Sequence, residues 1–198
     1  MSEPDTRTRI LDAGVEIMLE RSFHSVGLNQ LLSAVNVPKG SFYHYFKSKE
    51  DFGVEVLRHY SQNANAERRQ ILGNRELSAN PAERLLFLFT SGIESIEAGG
   101  CKCSCLLQKV AIEIANSSEA MRNQLATGFN DMIGLFQEAL DEAVAASFLP
   151  ADLDTRSEAA FILDLWAGAQ QRAAIIRNTD PLQKAVAVFR RRLAIDSN

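Results

Sequence analysis

The sequence predicts an all-α protein, with an N-terminal three-helix unit of helix-turn-helix type ahead of a larger helical body. Three observations carry that expectation. Apolar residues recur at helical spacing along nearly all of the 198 residues, no segment sustains the alternation of a strand, and glycine (11) and proline (5) are sparse. A chain of this length, with 46% hydrophobic and 23% charged residues, buries a core without a disulfide or metal staple. The opening MSEPDTRTR has no apolar signal core, and no apolar run approaches the roughly 18 residues of a membrane span, so a cytoplasmic location is expected. The three cysteines crowd into one patch, as reduced thiols do and a spread extracellular disulfide framework does not.

The elements follow in order. A first helix is expected from about Thr6 to Arg21, capped by Asp5 or Thr6, with Ile10, Ala13, Ile17 and Met18 as its apolar stripe. A second, from about Leu28 to Val35, buries Leu28, Leu31, Leu32 and Val35. Asn36-Val37 then supplies a tight turn: asparagine tolerates the left-handed conformation better than most residues, and Val37 plugs the space between helices. Pro38 fits the first position of a third helix reaching Phe46. Ser48-x-x-Asp51 reads as a capping box that starts a fourth helix running to about Leu72.

The polar stretch GNRELSANP separates this part from the rest. Pro81 opens a helix that the pair Gly99-Gly100 ends near Ala98, and later helices are expected over about Cys105–Ala115, Ser118–Ser147, Thr155–Asn178 and Leu182–Ile195. Phe148-Leu149-Pro150 and Thr179-Asp180-Pro181 serve as breaks. The expected division is residues 1–50 as an N-terminal helix-turn-helix unit and 51–198 as a helical body, with the fourth helix, from about 48, linking them.

Charge points to the same N-terminal unit. The net charge is −4, yet Arg21, Lys39, Lys47 and Lys49 share a window from 21 to 49 that holds no Asp or Glu. At 100° per residue the third helix puts Phe42 and Phe46 on one face, with Tyr45 beside them, to be buried against the first two helices. Gly40, His44 and Lys47 fall opposite, flanked by Ser41 and Tyr43. Gly40 admits close backbone approach, Tyr43 and His44 offer rings with polar tips, and Lys39, Lys47 and Lys49 supply charge for phosphates. The N-terminus of the fourth helix adds its dipole.

The stretch VGLNQLLSAVNVPKGSFYHYFKSKEDFGVEVL resembles the DNA-binding domain of the TetR family of bacterial transcriptional regulators, over roughly the first 60 residues. That resemblance implies a three-helix head on a helical ligand-binding and dimerising body. By position it implies base-facing and near-groove roles for Lys39, Gly40, Ser41 and Tyr43, and phosphate contacts for Tyr45 and Lys49. Tyr45 then has two claims on it, one at the core edge and one at DNA, which an amphipathic side chain can combine.

Cys101, Cys103 and Cys105 follow the Gly-Gly break and precede the apolar run LLQKVAIEI. A cysteine in the first turn of that helix, near Lys102 or Lys109, is in a field that favours thiolate. Three readings stay open: buried inert cysteines, a sensor thiol with a resolving neighbour, and a soft-metal site, which is disfavoured because no histidine is near. SCLLQKVAIEIANSSEAMR is similar to the matching stretch of a TetR branch that represses enzymes detoxifying reactive electrophiles, the branch containing the N-ethylmaleimide reductase repressor and acrylate-responsive repressors. There Cys105 matches a cysteine that precedes a leucine. Ser104 in place of the usual glycine, and the additional Cys101 and Cys103, are departures.

In the body, Phe87, Phe129, Met132 and Phe136 are candidates to line a ligand pocket. LDLWAGAQQRAAII joins Trp166 to the small residues Gly168, Ala169 and Ala173, and with Phe189 in AVAVFRRRLAI this suits a four-helix dimer interface. The expected function is a homodimeric repressor of a palindromic operator, released by a small molecule or by cysteine modification. No cofactor is expected. The alternatives are a soft-metal-responsive regulator and, more remotely, a thiol-dependent enzyme or di-iron bundle. His24, His44 and His59 all lie in the N-terminal part, none has Glu three residues earlier, and the body has no histidine to act as base, so the chain reads as a non-enzyme.

Overall fold

Asp5 accepts a hydrogen bond from the Thr8 amide at 2.8 Å and so begins α1, Thr6–Glu20. The computed structural model describes residues 5–25, 27–102 and 105–195, which form helices without strands. After α1 come α2 (Leu28–Ala34), α3 (Lys39–Tyr45), α4 (Lys49–Gly73) and α5 (Pro81–Ala98). The chain continues with α6 (Leu106–Ile114), α7 (Glu119–Ala145), α8 (Thr155–Ile176) and α9 (Asp180–Arg192). No helix among the described residues is long and apolar enough to cross a membrane.

The described residues gather into two compact units. One takes in residues 1–63 and 104–129; the other takes in 64–103 and 130–198. The first therefore joins α1–α3 and the start of α4 to α6 and the start of α7. Asn36 takes φ 52°, the left-handed turn expected between α2 and α3, and the Val37 amide closes onto Leu32 O at 3.0 Å with the Val37 side chain buried. Pro38 sits one position earlier than expected, as the N-cap of α3 rather than its first residue. Ser48 Oγ accepts from the Asp51 amide at 3.0 Å while Asp51 Oδ2 accepts from the Lys47 amide at 2.9 Å, so the expected capping box holds the start of α4. At Gly14 an added Cβ would fall 2.7 Å from both Phe52 and Val56, a close approach of α1 to α4 that any other residue blocks.

The second unit is built around Phe89. Its ring lies 5.4 Å from Phe136, 4.9 Å from Trp166 and 5.0 Å from Phe189, joining α5, α7, α8 and α9. Arg84 is fully buried. Its Nε donates to Leu72 O at 2.5 Å, Nη1 to Ser78 O at 2.9 Å and Nη2 to Glu142 Oε2 at 2.7 Å, which satisfies the guanidinium and ties down the turn before α5. The expected break before the last helix is present with Thr179 as N-cap, but α9 starts at Asp180 rather than Leu182, because proline in the first helical turn gives up no hydrogen bond. Arg192 in turn clamps the buried Glu158 with two bonds, at 2.7 and 2.5 Å, linking α9 to α8.

Candidate DNA-contacting face and the cysteine helix

In α3 the apolar face is held by three rings. Phe42, Phe46 and Phe52 are buried with centroids 5.1–5.4 Å apart, and this triangle sets the roll of α3 against α4. The opposite face is therefore turned to solvent. Lys39, Gly40, His44 and Lys47 are exposed, Ser41 is half-buried, and Tyr43 is 54% exposed. Tyr45 is 37% exposed, with its ring edge-on to His44 at 5.1 Å. Its expected burial beside Phe42 and Phe46 is thus corrected: those two rings fill the core side of the helix, and Tyr45, about 100° round from Phe46, is left on the flank.

Gly40 has no packing reason within the chain. A Cβ there would meet nothing within 4 Å, and its φ lies outside the left-handed range. A glycine in a helix costs about 1 kcal/mol relative to alanine, and the chain's own packing gives no reason for it at this position. Lys49, assigned to a phosphate from sequence, is occupied within the chain. Its Nζ donates to His24 O at 3.0 Å and lies 4.9 Å above the Phe23 ring.

That same segment is held from α6. The Glu113 carboxylate accepts from Ser22 Oγ at 2.5 Å, from the His24 amide at 2.8 Å and from the Phe23 amide at 3.1 Å. Partial burial by itself raises the Glu113 carboxyl, but the bonds from Ser22, His24 and Phe23, with the His24 ring 3.9 Å away, bring it below the usual glutamate range. Lys109, one turn earlier, donates to Leu19 O at the end of α1. On the α4 side, Ser118 Oγ bonds Glu50 Oε1 at 2.5 Å just before α7. Sequence reasoning missed this clasp. The available signal is that Lys109 and Glu113 are the only charges in LLQKVAIEI and stand in the less favourable i, i+4 order, so each has reason to find a partner elsewhere.

Cys101 and Cys105 take different places along the backbone. Cys101 ends α5 at φ 55°, its amide closing onto Ile96 O at 2.8 Å in the pattern that follows a helix C-terminus. Arg177 Nη1 reaches the neighbouring Gly100 O at 3.3 Å. Cys105 is the N-cap of α6; both thiols are buried. Cys103 lies outside the described residues. Lys102 is exposed, and the Lys109 ammonium is directed to α1. Among the described residues no group of three His, Cys, Asp or Glu side chains could hold a metal ion.

Of the pocket candidates, Met132 and Phe136 are buried, with Phe136 against Phe89; Phe129 is half-buried and Phe87 is 43% exposed. Of the interface candidates, Trp166, Ala169, Ala173 and Phe189 are engaged in the core of their own chain, and Gly168 is exposed. Gly168 borders a shallow depression of about 340 Å³ between α8 and α9, together with Leu165, Arg172, Pro181, Lys184 and Val188. Phe161, Ile175 and Ile176 are exposed on α8.

Residues 10–56 match the family model for bacterial regulatory proteins of the tetR family, and residues 81–189 match that for a tetracyclin repressor-like C-terminal domain. The chain belongs to the TetR family. Within this family it is 35% identical over 187 residues to the HTH-type transcriptional repressor NemR of Escherichia coli strain K12, covering 94% of this chain and 92% of that one. It is 30% identical over 182 residues to the transcriptional regulator AcuR of Cereibacter sphaeroides, covering 92% and 82%. The crystal structure of reduced E. coli NemR superposes with a TM-score of 0.85 at 32% identity, over 94% of this chain and 96% of that one. The TetR-type head and helical body expected from the motif are therefore present, and the chain is a transcriptional regulator with a DNA-binding helix-turn-helix.

Proposed function

We propose that the protein represses transcription as a homodimer on a palindromic operator in the cytoplasm, and that it releases DNA when a small molecule binds or a cysteine is modified. The observation that carries this reading is the division of α3: three buried rings hold it, and Lys39, Gly40, Tyr43, His44 and Lys47 are left facing outward. Lysines supply the charge for phosphates, while the glycine and the two polar rings meet base edges. Two such helices related by a two-fold axis fit successive major grooves about 34–36 Å apart. The exposed apolar residues of α8, with the depression beside α9, supply the dimer face.

The trigger acts through α6. Cys105 stands at its N-terminus and Glu113 near its C-terminus, and Glu113 holds the segment between α1 and α2 that Lys49 also grips. A modification that displaces α6 pulls on this clasp and changes the placement of the head. Release then follows from the difference in DNA affinity between the two arrangements. The protein acts as a regulator and not as a catalyst, and its body, without histidine, supports that reading.

The test is a mobility-shift assay on the DNA upstream of the protein's own gene, before and after N-ethylmaleimide, in wild type and Cys105→Ser. Specific retardation that the reagent abolishes only in wild type is expected. Equal loss in both removes Cys105 from the mechanism, and no retardation at low salt removes the operator.

A further inference from the structure

Phe161, Asp164, Gly168, Arg172 and Ile175 are exposed along α8, while Trp166, Ala169 and Ala173 between them go to the chain's own core. The exposed stripe is symmetric about Gly168. Asp164 and Arg172 stand four residues to either side of it, and Phe161 and Ile175 stand seven. Those steps keep to one face of a helix, one turn and two turns from the centre.

Gly168 has no packing role within the chain, since a Cβ there would meet nothing within 4 Å. A glycine at that point lets a second helix come close. Asp164 and Arg172 are of opposite charge, and among the described residues neither has a hydrogen-bond or ion-pair partner. Both border the depression of about 340 Å³ between α8 and α9.

A two-fold axis through Gly168, with two copies of α8 antiparallel, sets residues at equal distance from it against each other. Asp164 then meets the partner's Arg172, Arg172 meets the partner's Asp164, and Phe161 lies toward the partner's Ile175. Such self-complementarity is what a two-fold contact between identical chains requires. An axis one turn to either side instead sets Asp164 against the partner's Asp164, or Arg172 against the partner's Arg172.

We propose that this stripe selects the partner: two Asp164–Arg172 pairs across the axis admit a second copy of this chain in one register and reject helical chains of other charge order. The proposal rests on the reading that the protein is a homodimer, and adds which residues choose the other subunit. An ion pair on an open surface contributes little affinity, whereas like charges brought together across an interface cost far more. The device therefore works by exclusion.

The experiment uses the full chain as wild type, Asp164→Arg, Arg172→Asp and the double variant carrying both changes. Association is measured by sedimentation, subunit mixing by energy transfer between labelled chains, and helicity by circular dichroism. Each single variant sets two like-charged pairs across the axis and is expected to dimerise at least tenfold more weakly than wild type, with the deficit shrinking as salt is raised. Mixing the two single variants restores wild-type affinity, because the introduced arginine faces the introduced aspartate and native Arg172 faces native Asp164. The double variant pairs with itself as wild type does, and with wild type at least tenfold more weakly.

Single variants that dimerise like wild type overturn the proposal, as does a mixture no tighter than its components. Free exchange of the double variant with wild type also overturns it, and decides alone if a single variant does not fold. A wild-type protein that sediments only as a monomer removes the homodimer reading and the proposal together. A dimer indifferent to these charges removes the proposal and leaves that reading standing.

Discussion

Glu113 on α6 lies 2.5 Å from Ser22 Oγ and 2.8 Å from the His24 amide, so one carboxylate from the cysteine-bearing helix caps the segment that connects α1 to α2. Hydrogen bonds to a charged acceptor are stronger than neutral ones, and here three donors converge on it, the third being the Phe23 amide. His24 and Phe23 also receive Lys49 from the start of α4. Glu113 of α6 and Lys49 of α4 therefore hold the same short segment.

The clasp gives acid a defined point of attack. The Glu113 carboxyl is held below its ordinary value when folded, so its contribution is complete above the ordinary glutamate range and is lost as the pH falls through the lower, folded value. Amide hydrogen exchange at Phe23 and His24 is expected to accelerate over that acid interval in wild type. In Glu113→Gln the same amides exchange faster at neutral pH and show no further step. An identical acid profile in both proteins contradicts the assignment.

Gly40→Ala separates folding from recognition. A Cβ at this position meets nothing in the chain, and alanine is the better helix former by about 1 kcal/mol. The variant is expected to melt at the same temperature as wild type or a few degrees higher, while its operator affinity falls at least tenfold. Loss of stability without loss of affinity is the opposite of the expected pattern.

The two sides of α8 answer differently. Ile175 is 79% exposed, and Ile175→Lys is expected to dissociate the dimer in sedimentation while leaving helicity intact. Trp166 packs on Phe89, and Trp166→Ala is expected to cost about 3–5 kcal/mol of stability. A dimer that survives Ile175→Lys moves the interface elsewhere.

What could be read from the chain divides by range. Local chemistry was legible: Ser48 and Asp51 form their box, Asn36 takes the left-handed turn, and Phe42 and Phe46 go inward. Helix ends misled where one residue type has two uses, as when Pro181 looked like part of the break and proved to lie in the first turn of α9. Trp166 and Phe189 suited an interface by composition, but tertiary packing claims both for a cluster around Phe89 that joins residues far apart in sequence. The Glu113 clasp spans about ninety residues, and no local pattern specifies such a pairing. Only the reversed order of Lys109 and Glu113 hinted that neither serves the other.

The central claim is that the outward face of α3 reads DNA. Its most direct test is the equilibrium affinity for the operator across a salt series, for wild type, Tyr43→Ala, His44→Ala and Lys47→Ala, with helicity monitored alongside. Tyr43→Ala and His44→Ala are expected to lose about 1–3 kcal/mol on the operator and little on unrelated DNA. Lys47→Ala is expected to weaken both and to reduce the salt slope by about 0.9. If all three variants bind the operator as wild type does, with unchanged slope, α3 is not the reading helix.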